Sequence, residues 1–167
     1  MQLGFLWRSL NLAKSLQIRI MRALNDEFLV GATGIFFDTD HKILLFKHTY
    51  RAISWSLPGG FIKAKEHPSE GLEREIFEES GFSVSADKLL KVRTDRETGR
   101  LDMCYFGSFI GGEFRASKEV TSFKFYDFDE LPEVIPDQVL LIKEAMAAYQ
   151  AWLERKTRKP ALLQFWR

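Results

Sequence analysis

The chain has 167 residues, 46% of them hydrophobic and 14% aromatic, which suits one domain with a well-filled core. Its net charge is +1, so it carries no overall polyanion-binding signal, and nucleic acid is not among the expected partners. Cys104 is the only cysteine, which excludes an internal disulfide and suits a reducing compartment. No apolar run approaches the ~20 residues of a membrane span. Arg8 and Lys14 interrupt an N-terminus with no secretory cleavage pattern, so a cytoplasmic protein is expected.

In chain order, residues 3–24 place Leu3, Leu6, Trp7, Leu10, Ala13, Ile20, Met21 and Leu24 close to one stripe, which predicts an amphipathic helix ending at Asn25-Asp26. This segment carries Arg8, Lys14, Arg19 and Arg22 and no acid; it is expected to pack on its own domain or to exchange across a homodimer. Contact with an anionic membrane surface is the less favoured reading. Leu29–Phe37 and Lys42–Phe46 read as the strands of a hairpin around an Asp38–His41 turn. Arg51–Ser56 leads into a Pro58-Gly59-Gly60 turn. A helix is predicted from Pro68, a residue favoured at the first helical position, to Gly81, a natural left-handed cap, with Leu72 and Ile76 facing the core. Leu89–Thr94, Leu101–Ile110 and Thr121–Phe128 are further strands, Gly111-Gly112 a tight turn, and Asp137–Lys156 a long helix after Pro136. The tail's Leu162-Leu163-Gln164-Phe165-Trp166 is too apolar to hang free and is expected to dock. The expected division is an N-terminal helix over 1–25, a central domain over 26–156 and a basic, apolar tail over 157–167. Strands on both sides of one helix, a final long helix and no regular βαβ alternation point to an α/β fold with a mixed sheet between helices.

The segment 59–82, GGFIKAKEHPSEGLEREIFEESGF, holds six glutamates: Glu66, Glu70, Glu73, Glu75, Glu78 and Glu79. At about 100° per residue, Glu78 lies about 60° to one side of Glu75 and Glu79 about 40° to the other. Three carboxylates in one arc repel one another, by a few tenths of a kcal/mol for an i,i+4 pair. A helix that needed only solubility would carry Lys or Arg there. A cation is therefore expected on this face, and an all-oxygen cluster favours a hard divalent ion, Mg²⁺ or Mn²⁺.

Read from Gly60, the spacing is five residues to Glu66, seven more to Arg74-Glu75-Ile76, one to Glu78-Glu79 and one to Gly81-Phe82, entered through Leu57-Pro58-Gly59-Gly60. This resembles the Nudix box, the signature of the Nudix hydrolases. Nine fixed positions at fixed spacing are far more specific than a lone glycine motif. The resemblance covers about residues 29 to 150. It implies an α/β/α sandwich with a mixed β-sheet and the box as loop–helix–loop. It also implies hydrolysis of a nucleoside diphosphate linked to another group, with a divalent ion that neutralises and orients the diphosphate and makes hydroxide available near neutral pH. By the same resemblance Glu75, Glu78, Glu79 and the Gly60 carbonyl hold the metal, Glu78 being the indispensable ligand, while Arg74 and Glu66 brace the box. Glu70 and Glu73 match no fixed position and read as solvated acids.

Beyond the box, Glu119 precedes a strand and an Asp129-Glu130-Leu131-Pro132 segment in an arrangement like that of family members with a loop glutamate, which makes it a candidate metal ligand or general base. Glu130 reads as a cap or surface residue. Phe46, His48, Tyr50, Arg51 and Trp55 lie just ahead of the box and are candidates to line a base pocket, with Arg51 a phosphate or carboxylate clamp. Lys63 and Lys65 stand where many family members have an acid and a glycine; they are surface lysines or contacts to substrate phosphate. Cys104 reads as inert core. The expected substrates are nucleoside diphosphate sugars, including ADP-ribose, giving a nucleoside monophosphate and a sugar phosphate. The proline or tyrosine that marks narrower subclasses is absent around Arg93–Thr98. Two other readings stand beside this one: a nucleoside triphosphate pyrophosphohydrolase that clears damaged or surplus nucleotides, and a non-catalytic ligand sensor. The intact box and the lack of a helix-turn-helix segment argue against the sensor.

Overall fold

The computed structural model describes residues 14–158 except 26, 50 and 97, and of 156–158 only the backbone. The expected helix residues 3–13, Tyr50 and the tail after 158 lie outside the described residues. The elements are α1 (Lys14–Leu24), β1 (Leu29–Phe37), β2 (Ile43–His48), β3 (Trp55–Ser56), β4 (Gly59–Phe61), α2 (Pro68–Ser80), β5 (Phe82–Asp95), β6 (Arg100–Gly112), β7 (Val120–Tyr126), a 3₁₀ turn at Phe128–Glu130, and α3 (Pro136–Arg158).

The sheet is mixed. β1 runs parallel to β6 along its whole length, from Leu29↔Arg100 to Phe37↔Ser108. Its other edge is shared between β4, antiparallel from Gly31↔Phe61 to Thr33↔Gly59, and β2 at Phe37↔Ile43. β2 in turn pairs with β7 and β3, and β5 closes the far side against β6. Residues 31–37 are buried without interruption, because β1 is covered on both faces. Ile35 and Phe37 point into a layer with Phe106, Leu141, Ile142 and Tyr149, under α3. Ala32 and Phe36 point the other way, against Leu72, Ile76 and Phe82, under α2. The period of two on β1 therefore divides one strand between two cores, and the fold is the α/β/α sandwich with a mixed sheet.

Several elements differ from their expected form. The strand expected at 89–94 runs from Phe82 to Asp95. Three register shifts break its alternation, so no single period spans the strand and its first half is held by pairing to β6. Gly111 and Gly112 form no turn; they end β6 opposite Ser83 and Phe82. At φ 148° and 115° they occupy backbone that side chains avoid. β3 and β4 are too short for any pattern to announce. α1 buries none of its residues and leaves Leu16, Ile18, Met21 and Leu24 exposed, so the expected packing of this segment on its own domain does not occur within the described residues. Among the described residues no helix is long and apolar enough to cross a membrane.

Candidate active site

α2 is held at both ends by local chemistry. His67 caps it, Pro68 occupies its first turn, and the Glu70 carboxylate accepts from the His67 N–H at 3.2 Å. Gly81, at φ 76°, ends it by donating its N–H to the Phe77 carbonyl at 2.9 Å. Glu73 accepts from the Ala86 N–H at 2.8 Å and ties the helix to β5. Glu70 and Glu73, expected as solvated acids, thus both make structural hydrogen bonds.

Arg74 is the hub of the acidic face. Its guanidinium grips Glu66 with two bonds, Nε–Oε2 at 3.0 Å and Nη2–Oε1 at 2.7 Å, and donates to the Phe61 carbonyl at 3.3 Å. Its Nη1 pairs with Glu75 and, at 3.1 Å, with Glu78. Glu66 also accepts from the Lys63 N–H. The Arg74 hydrogen bonds, helped by Lys63, hold the Glu66 carboxyl down to a pKa of about 2. The loop before the helix is thereby bolted to its middle.

Glu79 faces the opposite chemistry. Its Oε2 is buried with no hydrogen-bond partner. Burial, then the charges of Glu119 and Glu75, push its carboxyl up to about 7, against a smaller opposing pull from Arg51. Glu119 is remote in sequence yet aims its charge at the box helix, because the loop before β7 is pinned by Thr49, whose N–H donates to the Glu119 carbonyl at 3.0 Å. Gly60 lies against Glu75: a Cβ there would stand 2.6 Å from the Glu75 Cγ, so only glycine lets the β4 backbone and this carboxylate share one space.

These groups open on a cleft of about 840 Å³, whose lining includes Arg51, Gly60, Glu75, Glu79 and Glu119. Glu78 is not among the lining residues and is paired with Arg74 and, at 3.7 Å, with Lys63. Trp55 does not line the cleft; it packs edge-on against Tyr126 and joins the core beneath α3. Phe46 and His48 are likewise buried, and burial with the nearby Arg51 charge lowers the His48 pKa to about 4. Cys104 is fully buried and its thiol is pushed up to about 11, as suits inert core.

Among the described residues no three carboxylate, imidazole or thiol side chains converge as a ready-made metal site. Glu75 and Glu78 are instead turned onto Arg74. The donor set nonetheless fits a hard divalent ion: every candidate is oxygen, the Glu79 oxygen is buried and unsatisfied, and Gly60 leaves backbone open beside Glu75. A cation would relieve the repulsion that raises Glu79.

The opposite wall was not marked by sequence reasoning. Asp102, buried on β6, lies 3.1 Å from the Thr33 hydroxyl through each oxygen and accepts from Arg93 at 2.7 Å and Arg100 at 3.3 Å. All four residues line the cleft. The available signal was an acid inside the apolar run 101–110, where a buried charge needs partners.

The NUDIX domain family model matches residues 27–152. A fold of this class with the complete box belongs to phosphoanhydride-cleaving enzymes, and the chain belongs to the Nudix hydrolase family. It is 32% identical over 123 residues to the ADP-ribose pyrophosphatase of Methanocaldococcus jannaschii, covering 70% of this chain and 72% of that protein. It is 30% identical over 104 residues to a MutT-like protein of Streptomyces ambofaciens, covering 62% and 67%. Among solved structures, a UDP-X diphosphatase shares the fold with a TM-score of 0.67 at 22% identity, over 89% of this chain and 77% of that one.

Proposed function

We propose that this enzyme hydrolyses nucleoside diphosphate sugars, including ADP-ribose, to a nucleoside monophosphate and a sugar phosphate, in the cytoplasm and as a homodimer. The observation that carries the reading is Glu79: a buried carboxyl with an unsatisfied oxygen, lining together with Glu75 and Glu119 a cleft large enough for a sugar nucleotide. Glu75, Glu78, Glu79 and the Gly60 carbonyl would hold Mg²⁺, for which Mn²⁺ can substitute. When bound, the ion supplies charge neutralisation for the diphosphate and acidifies attacking water. Glu119 would serve as general base toward the attacking water, supported by its place in the cleft lining within electrostatic reach of Glu79. Arg51, on the cleft wall within the electrostatic reach of Glu79, orients a phosphate. Lys63 meets substrate phosphate only by leaving Glu78. Arg74 and Glu66 act through positioning, keeping the loop that carries Gly60 against the helix. The family resemblance to an ADP-ribose pyrophosphatase and the UDP-X diphosphatase fold support a sugar-nucleotide substrate.

A triphosphate pyrophosphohydrolase is the second reading, favoured by the 30% identity to a putative 8-oxo-dGTP diphosphatase of Bacillus subtilis over 92 residues. A Mg²⁺-dependent hydrolysis panel resolved by product separates the two. ADP-ribose and UDP- or GDP-sugars giving monophosphate plus sugar phosphate is the expected result. Pyrophosphate release from triphosphates would replace it with the second reading. Glu78→Gln is expected to lower kcat at least ~100-fold, and an unchanged rate would refute the metal assignment.

A further inference from the structure

The wall facing the glutamates is built to accept oxygen atoms. Phe61, Gly31, Asp102 and Arg93 stand in one row across four adjacent strands, so their side chains share the α3 face of the sheet. Asp102 is spent: its two oxygens take Thr33, Arg93, Arg100 and, at 3.6 Å, the Cys104 thiol. The two guanidiniums are not. Each gives one nitrogen to Asp102, and the Nε of each is buried with no partner. The Arg100 guanidinium carbon stands over the Phe61 ring, 5.1 Å from its centroid, and the side chain crosses Gly31, where a Cβ would stand 2.6 Å from its Nη2. A missing side chain on β1 and an aromatic on β4 thus fix its place. Two arginines around one saturated acid leave one positive charge at the floor. The other acids on this wall sit at the exposed rim: Asp95 accepts from Thr98, and Asp137, in the first turn of α3, adds the weakest of the pulls on Arg93, after Asp102.

Resting on the sugar-nucleotide reading above, we propose that Arg93 and Arg100 form a specificity subsite for an anionic group, carboxylate or phosphate, on the part of the substrate remote from the scissile diphosphate. A planar donor array with no acceptor left matches such a group better than a hydroxyl. Neutral and charged sugars would then be told apart in the cleft that the carboxylates of the metal side also line.

The test is titration calorimetry of the full chain with Mg²⁺ and three sugar phosphates that lack a base: glucose 1-phosphate, glucuronic acid 1-phosphate and glucose 1,6-bisphosphate. At least one of the two ligands with a second anion is expected to bind about tenfold or more tightly than glucose 1-phosphate, and which one does so identifies carboxylate or phosphate. Arg100→Met, which leaves Asp102 paired with Arg93 and Thr33, is expected to abolish the difference. So is Gly31→Ala, which keeps every charge but displaces Arg100. Equal affinities, no binding of any of the three, or a gain that survives Arg100→Met would overturn the proposal. Turnover of UDP-glucose and UDP-glucuronate is measured alongside. Where glucuronic acid 1-phosphate is the tighter ligand, hydrolysis of both at equal kcat/KM counts against this subsite alone, whereas failure to hydrolyse any sugar nucleotide in the panel counts against the enzymatic reading.

Discussion

At Glu79, burial and the facing acids hold the carboxyl at a pKa of about 7 in the folded protein. An unfolded glutamate titrates near 4.3, so the folded, metal-free state keeps a proton that the unfolded chain releases. Stability therefore falls as pH rises from about 4.5 to 7 and the cost persists above it. In a chelator at pH 8, Glu79→Gln is expected to gain about 2 kcal/mol, allowing for solvent screening of a partly buried group, while hydrolysis with Mg²⁺ falls at least ~100-fold. Denaturation and kinetics on the same variant read both. His48 acts with the opposite sign. Its pKa, lowered to about 4, makes the folded state resist a proton, so its contribution is complete above about 6.5 and is lost as pH falls to 4. With Glu79→Gln the His48 effect stands without its counterweight, and metal-free stability should climb steadily from pH 4 to 6.5; a flat profile would contradict this.

The box helix gains its geometry from contacts at its ends and from one ion pair reaching back to the loop. A methyl at Gly81 would meet the Glu113 carbonyl at 2.5 Å in a left-handed backbone. Gly81→Ala is expected to cost about 1–2 kcal/mol in denaturant unfolding, more than the change to asparagine, which tolerates this conformation. Arg74→Met leaves Glu66, Glu75 and Glu78 without their shared partner. Its kcat is expected to fall about tenfold or more, and it should lack the stability that Glu66 gives wild type above about pH 4.5 and that wild type loses as pH falls to 2. Arg74→Lys should recover little, since the two-pronged grip on Glu66 needs a guanidinium.

Across the whole molecule, α1 leaves Leu16, Ile18, Met21 and Leu24 exposed among the described residues, although they are large enough to favour burial. Exchange with a second copy would cover it. Light scattering is expected to give a dimer mass for the full chain and a monomer mass for a chain lacking residues 1–24. An unchanged dimer mass after that deletion would remove the helix from the interface.

The sequence by itself determined the family, the α/β/α layering and the acidic helix, because these rest on short-range rules. The spacing Gly60 to Phe82, the caps at Pro68 and Gly81, and the pairing of Leu72 with Ile76 are each readable within a few turns of chain. Strand β5 was half hidden because its register is interrupted three times, so partner β6 decides its length. Trp55 read as a pocket aromatic, but burial among Tyr126 and the α3 layer depends on which face the neighbouring strand turns inward. The meeting of Glu79 with Glu119, and of Arg93 and Arg100 with Asp102, is a matter of tertiary structure alone. Electrostatics acts through space: the antiparallel pairing of β5 with β6 sets Arg93 beside Asp102, and the parallel pairing of β1 with β6 adds Thr33, 69 residues away in the chain.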